Sequence, residues 1–337
     1  MIDRRQALLA TLAAGIASGA GAQTPPPQRR GQARAGAPDP VETIDLWPAG
    51  APGMPTVPPV ETVDERSTDP GRADRAVRGI VRPRLAVFRP ATANGSALLV
   101  MPGGGYARVV IDKEGYEIGR RLAAQGWTVF VLFYRLPGDG WAAGADVALS
   151  DAQRAMRLIR HRAPRYGIRP DRVGAMGFSA GGHVCGDLAT RFAAATYAHV
   201  DAADRLSARP DFAAPIYAVQ SMTRPIAHGG SRDLLIGRNA GPAVEAAHTP
   251  ALHVGAATPP CFLVHAEDDP AVDVANTLQF RAALKQANVP VETHLFAAGG
   301  HGFGIRGAAG KPAAAWPDLF VAWAQAQGFG QGVGQGF

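Results

Sequence analysis

The 337-residue chain is predicted to fold as an α/β protein, a mainly parallel central sheet with helices on both faces. From Arg84 onward, apolar runs of strand length alternate with amphipathic stretches of helix length, the pattern of strands joined by helical crossovers. With 47% hydrophobic and 18% charged residues the chain has enough apolar material for a full core. One stretch, residues 221 to 257, breaks the alternation and reads as a small irregular insertion.

The elements follow in order. Residues 1 to 22 read as an export signal: Arg4-Arg5, an Ala-rich apolar run to Ser18, and Ala20-Gly21-Ala22 as an A-x-A cleavage site. The arginine pair before a weakly apolar run is similar to a twin-arginine signal, although a Sec signal also begins basic; either implies a periplasmic or secreted protein starting near Gln23. Residues 23 to 42, rich in Pro, Gly, Gln and Arg, read as a flexible linker. A single α/β domain is expected over 43 to 328 and a loose Gly/Gln tail over 329 to 337. Within the domain, strands are predicted at 85–88, 97–101, 128–134, 173–176, 215–219, 261–265 and 291–296. Helices are predicted at 113–125, 146–165, 182–195, 273–287 and 313–326. The insertion, rich in Gly, Pro and His, would lie over the sheet edge where a ligand enters.

Several classes are set aside by composition. The net charge of +6 falls to +5 without residues 1 to 22, which carry Asp3, Arg4 and Arg5, and the remaining arginines are scattered rather than massed on one face; no nucleic-acid partner is expected. No stretch after the signal reaches the ~18 consecutive apolar residues of a membrane span, so no stable membrane insertion is expected. Cys185 and Cys261 lie in apolar runs and read as buried free thiols. Neither they nor the nine histidines show ligand spacing, so no metal and no cofactor is called for.

Four segments carry chemistry. Gly177-Phe178-Ser179-Ala180-Gly181 falls between a predicted strand and a helix, where a sharp turn can expose a nucleophilic serine only if its flanks are nearly free of side chains. Pro102-Gly103-Gly104-Gly105-Tyr106 follows the strand 97–101, and consecutive glycines let backbone N–H groups point at a developing oxyanion; Gly104, Gly105 and Ala180 are the candidate donors. His265-Ala266-Glu267-Asp268-Asp269-Pro270-Ala271-Val272 ends a strand with three carboxylates, any of which could orient an imidazole. Gly299-Gly300-His301-Gly302-Phe303-Gly304 places a histidine on a glycine-flanked loop, suited to a general base. His183 and His265 read as packing histidines beneath such a site. Tyr106 and Trp141 are candidates to line a substrate pocket, since aromatic faces suit sugar rings.

With these segments in hand, the chain resembles the acetyl esterase and acetylxylan esterase-like branch of the α/β-hydrolase fold, from about Ile44 to Gly328. The likeness rests on Leu46-Trp47-Pro48-Ala49-Gly50-Ala51-Pro52-Gly53, the Pro-Gly-Gly-Gly-Tyr loop, Tyr134-Arg135-Leu136, the serine motif and Gly-His-Gly-Phe around His301. That branch's acid pattern, His-Gly-x-x-Asp-x-x-Val, falls on His265, Ala266, Asp269 and Val272, which singles out Asp269, with Ala266 departing from the usual glycine. The order Ser179, Asp269, His301 is the order in which such enzymes present nucleophile, acid and base. The resemblance implies a cofactor-free serine esterase acting on short acyl esters, often acetyl groups of plant polysaccharides. Two alternatives stand beside it: a serine peptidase of the same fold and a non-catalytic binding protein that kept it.

Overall fold

A computed structural model of the chain describes residues 39–331. The expected signal segment, most of the linker and the end of the tail lie outside those residues. Eleven strands are described: β1 Thr43–Asp45, β2 Thr62–Glu65, β3 Arg75–Arg78, β4 Arg84–Phe88, β5 Ala97–Met101, β6 Val109–Val110, β7 Thr128–Phe133, β8 Val173–Phe178, β9 Ala213–Ile216, β10 Cys261–Ala266 and β11 Val291–Phe296. Eight form one sheet in the order β1-β4-β7-β5-β8-β9-β10-β11. The β1/β4 and β4/β7 pairs are antiparallel and the rest parallel, so the sheet is mainly parallel, as predicted, while strand β1 and the antiparallel edge were not. β5, β7, β8 and β10 are buried along their whole length, which is why they read as unbroken apolar runs rather than as alternating ones.

Helices cover both faces. On one, α1 Glu117–Ala123 and α7 Trp316–Ala326 bring Ile118, Leu122, Trp316 and Phe320 around Met176 of β8. On the other, α2 Val147–His161 lies against α3 Ser179–Arg191, whose Cys185 stands under Gly177. Cys185 and Cys261 are both buried free thiols.

Differences from the predicted elements have local causes. β9 stops at Ile216 because Tyr217 takes a φ of +36°, which a strand cannot continue through. α2 ends at His161, where Pro164 starts a tighter turn. The insertion is not irregular throughout: it contains α4 Gly229–Ile236 and α5 Pro242–Ala247. A second, three-stranded antiparallel sheet, β2-β3-β6, was not predicted; β2 is mostly exposed and charged, so it carries no apolar alternation to find. α6 Ala275–Gln286 follows β10 as expected.

Two segments of the family likeness meet in the interior. Arg135 and Asp151, both side chains at most 1% exposed, form an ion pair at 2.8 Å. Trp47 Nε1 donates to the same carboxylate at 2.8 Å, and an Arg135 N–H donates to the Pro52 carbonyl at 2.7 Å. The Leu-Trp-Pro and Tyr-Arg-Leu segments are thus coupled by one buried charge, so deleting either partner would strand the other without compensation. At the domain's edges, Asp39 pairs with Arg75 at 2.7 Å and Glu42 with Arg89 at 2.6 Å. The Phe329 ring packs 4.8 Å from Phe212. No described helix is long and apolar enough to cross a membrane.

Candidate active site

The serine sits where β8 turns into α3, and its surroundings explain the glycines. A Cβ on Gly177 would lie 2.1 Å from the Gly181 carbonyl oxygen, and one on Gly181 would lie 2.1 Å from the Met101 carbonyl oxygen. Strand, helix and the neighbouring β5 therefore approach more closely than any side chain allows. Ser179 itself takes a φ of +54°, a left-handed conformation worth about 1–3 kcal/mol of strain for a residue with a Cβ.

Three side chains from three loops converge. Ser179 Oγ donates to His301 Nε2 across 2.9 Å, and His301 Nδ1 donates to Asp269 Oδ2 across 2.7 Å. Asp269 is fixed from behind: its Oδ1 accepts from Ala271 and Val272 N–H, both at 2.9 Å, while Oδ2 lies 3.3 Å from His265 Nε2. Burial disfavours its charge, but hydrogen bonds from His265, His301 and Val272 outweigh that and hold the carboxyl well below the usual range. The other two carboxylates have different positions. Asp268 Oδ1 accepts from Gly299 and Gly300 N–H at 2.8 and 2.7 Å, clamping the loop that carries His301, whereas Glu267 is exposed. Among the three, Asp269 alone reaches the imidazole.

His265 and His183 take the packing positions expected of them. His265 Nε2 donates to the Val272 carbonyl at 2.9 Å, so its Nδ1 accepts from Thr277 Oγ1 at 2.7 Å. His183 Nε2 donates to the His248 carbonyl at 2.8 Å and Nδ1 accepts from Tyr106 Oη at 2.6 Å, while burial pushes its pKa down to about 4. That bond corrects the expectation for Tyr106. Its side chain is 2% exposed with its hydroxyl occupied, and Trp141 is 3% exposed beneath the Arg135 guanidinium, 4.8 Å from its ring. Both rings are packed inward instead of lining an open pocket.

The glycine loop lies against Ser179: a Cβ on Gly103 would stand 2.9 Å from Ser179 Cβ. Gly103 N–H is already used, donating to Glu114 Oε2 at 2.8 Å. The N–H groups of Gly104 and Gly105 have no protein acceptor among the described residues. Ala180 occupies the first turn of α3, where no carbonyl four residues back can receive its N–H. These three donors are the ones free to meet a developing oxyanion.

Two further residues stabilise the arrangement, and neither carried a sequence signal. Glu114 lies on a π-helical turn, Asp112–Tyr116, which turns its carboxylate inward. Its Oε1 accepts from Tyr217 Oη at 3.0 Å, and that hydroxyl in turn accepts from Gly304 N–H at 3.0 Å. The Tyr217 ring stands edge-on to His301, centroids 5.3 Å apart. One buried carboxylate thereby ties the glycine loop to the histidine loop. A separate cluster, Asp146, Asp187 and His248, brings metal-binding atom types together, but the Arg191 guanidinium already bonds both carboxylates at 2.8 and 3.0 Å.

Comparison with known proteins identifies the family and the fold. The BD-FAE family matches residues 85–284. An acetylxylan esterase from Xylanibacter ruminicola is 30% identical over 229 residues, 66% of this chain and 44% of its own. Endo-1,4-beta-xylanase B from Butyrivibrio fibrisolvens is 34% identical over 208 residues, 62% of this chain and 32% of its own. The chain thus spans less than half the length of these two curated relatives. Among solved structures, an acetyl ester-xyloside bifunctional hydrolase from Caldicellulosiruptor lactoaceticus superposes with a TM-score of 0.69 at 32% identity, covering 86% of this chain and 97% of that one.

Proposed function

The chain belongs to the BD-FAE family, an α/β-hydrolase of acetylxylan esterase type, and from that premise we propose that it hydrolyses short-chain carboxylic esters, specifically acetyl esters of carbohydrates such as acetylated xylan. The observation that carries the reading is the unbroken relay from Ser179 Oγ to His301 at 2.9 Å and from His301 to Asp269 at 2.7 Å.

Ser179 Oγ attacks the ester carbonyl carbon while its proton passes to His301 Nε2. The carbonyl oxygen becomes an oxyanion, received by the N–H groups of Gly104, Gly105 and Ala180. Asp269, ionised across the working range, holds Nδ1–H and stabilises the imidazolium. Collapse of the intermediate expels the sugar alkoxide, which takes the proton from His301 Nε2 and leaves an acetyl-Ser179 ester. Water, deprotonated by the same nitrogen, then releases acetate and restores the serine. The sugar preference is supported by the relatives, an acetylxylan esterase, an endo-1,4-beta-xylanase and an acetyl ester-xyloside bifunctional hydrolase. We place the enzyme outside the cytoplasm, on the Arg4-Arg5 and Ala20-Gly21-Ala22 pattern.

The test is hydrolysis of p-nitrophenyl acetate, butyrate and octanoate, followed by acetate release from acetylated xylan. Acetate preferred among the three, with acetate released from the polymer, is the expected result. Octanoate preferred, with the polymer untouched, would overturn the carbohydrate reading.

A further inference from the structure

The insertion contributes one side chain whose hydrogen-bonding state is defined and whose outer nitrogen is free. His228 caps α4: its Nδ1 accepts the Ser231 backbone N–H at 3.1 Å and lies 2.8 Å from Ser231 Oγ. A ring nitrogen that receives an N–H carries a lone pair, so in the neutral ring the proton is on Nε2. Nε2 has no protein partner among the described residues.

The contacts on either side of His228 place its turn beside the site. Before it, the Ile226 carbonyl accepts from Asn276 Nδ2 of α6 at 2.8 Å, and Val219 N–H reaches the Ser179 carbonyl at 3.3 Å. After it, the fully buried Ser231 turns its Oγ toward the glycine loop, 4.0 Å from where a Cβ on Gly105 would stand. The turn therefore runs from α6, which follows the acid loop, to the glycine loop beside Ser179. Burial keeps the ring below the usual histidine range, and its charge would interact with both His301 and Asp269.

The oxyanion has its own backbone donors and the proton relay has His301, so a free donor on a half-buried side chain beside the site is left for the part of the substrate beyond the ester group. We propose that His228 Nε2–H donates a hydrogen bond to a hydroxyl or ring oxygen of the sugar bearing the acetyl group, making His228 a substrate-binding residue that favours carbohydrate esters over simple ones. This rests on the esterase reading above.

Two variants separate this role from helix capping. His228→Asn keeps a side-chain acceptor for Ser231 N–H, asparagine being a preferred cap, but has no donor at the reach of Nε2. His228→Gln extends an amide donor to that reach and gives up the cap. Both are compared with wild type in kcat/KM on a mono-acetylated methyl xyloside and on p-nitrophenyl acetate. His228→Asn should lower the xyloside-to-nitrophenyl ratio about tenfold, the value of one hydrogen bond, and His228→Gln should keep most of it. A ratio within twofold of wild type in the Asn variant, or a loss in the Gln variant as large as in Asn, would overturn the proposal. So would a wild-type enzyme active on the nitrophenyl ester and inactive on the xyloside, with the esterase reading intact. Inactivity on both esters would defeat that reading first.

Discussion

Replacing Asp269 by asparagine changes one atom, and the surrounding contacts dictate how the new amide must point. Ala271 and Val272 both present N–H groups to Oδ1 at 2.9 Å, so the amide oxygen has to occupy that position. The NH2 group then faces His301 Nδ1, which is 2.7 Å from Oδ2 in the native protein, and also faces His265 Nε2–H at 3.3 Å. Turning the amide over would set a donor against two backbone N–H groups, so it stays. His301 must accept at Nδ1, which moves its proton to Nε2 and leaves nothing there to take the Ser179 proton. A tautomer error of this kind costs about 10⁴ in kcat. That corresponds to about 5 kcal/mol of transition-state stabilisation. The assay is p-nitrophenyl acetate hydrolysis by Asp269→Asn, with circular dichroism to check folding, beside Asp268→Asn as a comparison. The amide oxygen of the latter can still receive Gly299 and Gly300 N–H, so its kcat should fall by less than about tenfold. A folded Asp269→Asn enzyme within about tenfold of wild type, or a larger loss from Asp268→Asn, would refute the reasoning.

Two predictions concern the supports of the site. Tyr217→Phe removes the hydroxyl that receives Gly304 N–H and donates to Glu114, stranding two buried polar groups. It should lower unfolding stability by about 2 kcal/mol in urea, and an unchanged midpoint would show that the network contributes nothing. His183, held at about 4 in the fold against 6.5 as its ordinary value, leaves the unfolded chain to take up a proton first. Stability should therefore be unaffected at or above pH 7, decline as pH falls below 6.5, and reach its full loss below 4. Between pH 7 and 5 the His183 share is about 2 kcal/mol. Urea titrations at the two pH values should show a shallower decline in His183→Gln than in wild type, and equal declines would contradict the assignment.

What could be read in the sequence was whatever the backbone forces on residue type. Gly177 and Gly181 are visible because carbonyl oxygens lie 2.1 Å from where their Cβ atoms would stand, a constraint only glycine meets. The central parallel strands β5, β7, β8 and β10 are visible because burial on both faces demands near-continuous apolar runs. The choice among Glu267, Asp268 and Asp269 could not be made from their own chemistry, since all three are carboxylates on one loop; it depends on which of them backbone N–H groups turn toward His301. Glu114 and Tyr217 were hidden for a similar reason. Their partners lie far away in sequence, and 103 residues separate one from the other. Tyr106 and Trp141 misled because an aromatic ring after a glycine loop or strand reads alike whether it faces substrate or the core. His228 lay in a stretch read as irregular, and its role depends on a cap that only the helical turn creates.

The central claim is that Ser179 is the nucleophile, activated by His301. It is tested most directly by comparing p-nitrophenyl acetate hydrolysis by the wild-type protein and Ser179→Ala at equal concentration. The account predicts a fall in kcat/KM by a factor on the order of 10³ or more, with folding unchanged. Comparable rates in the two proteins would contradict it, because an ester then hydrolysed by this chain would not pass through Ser179.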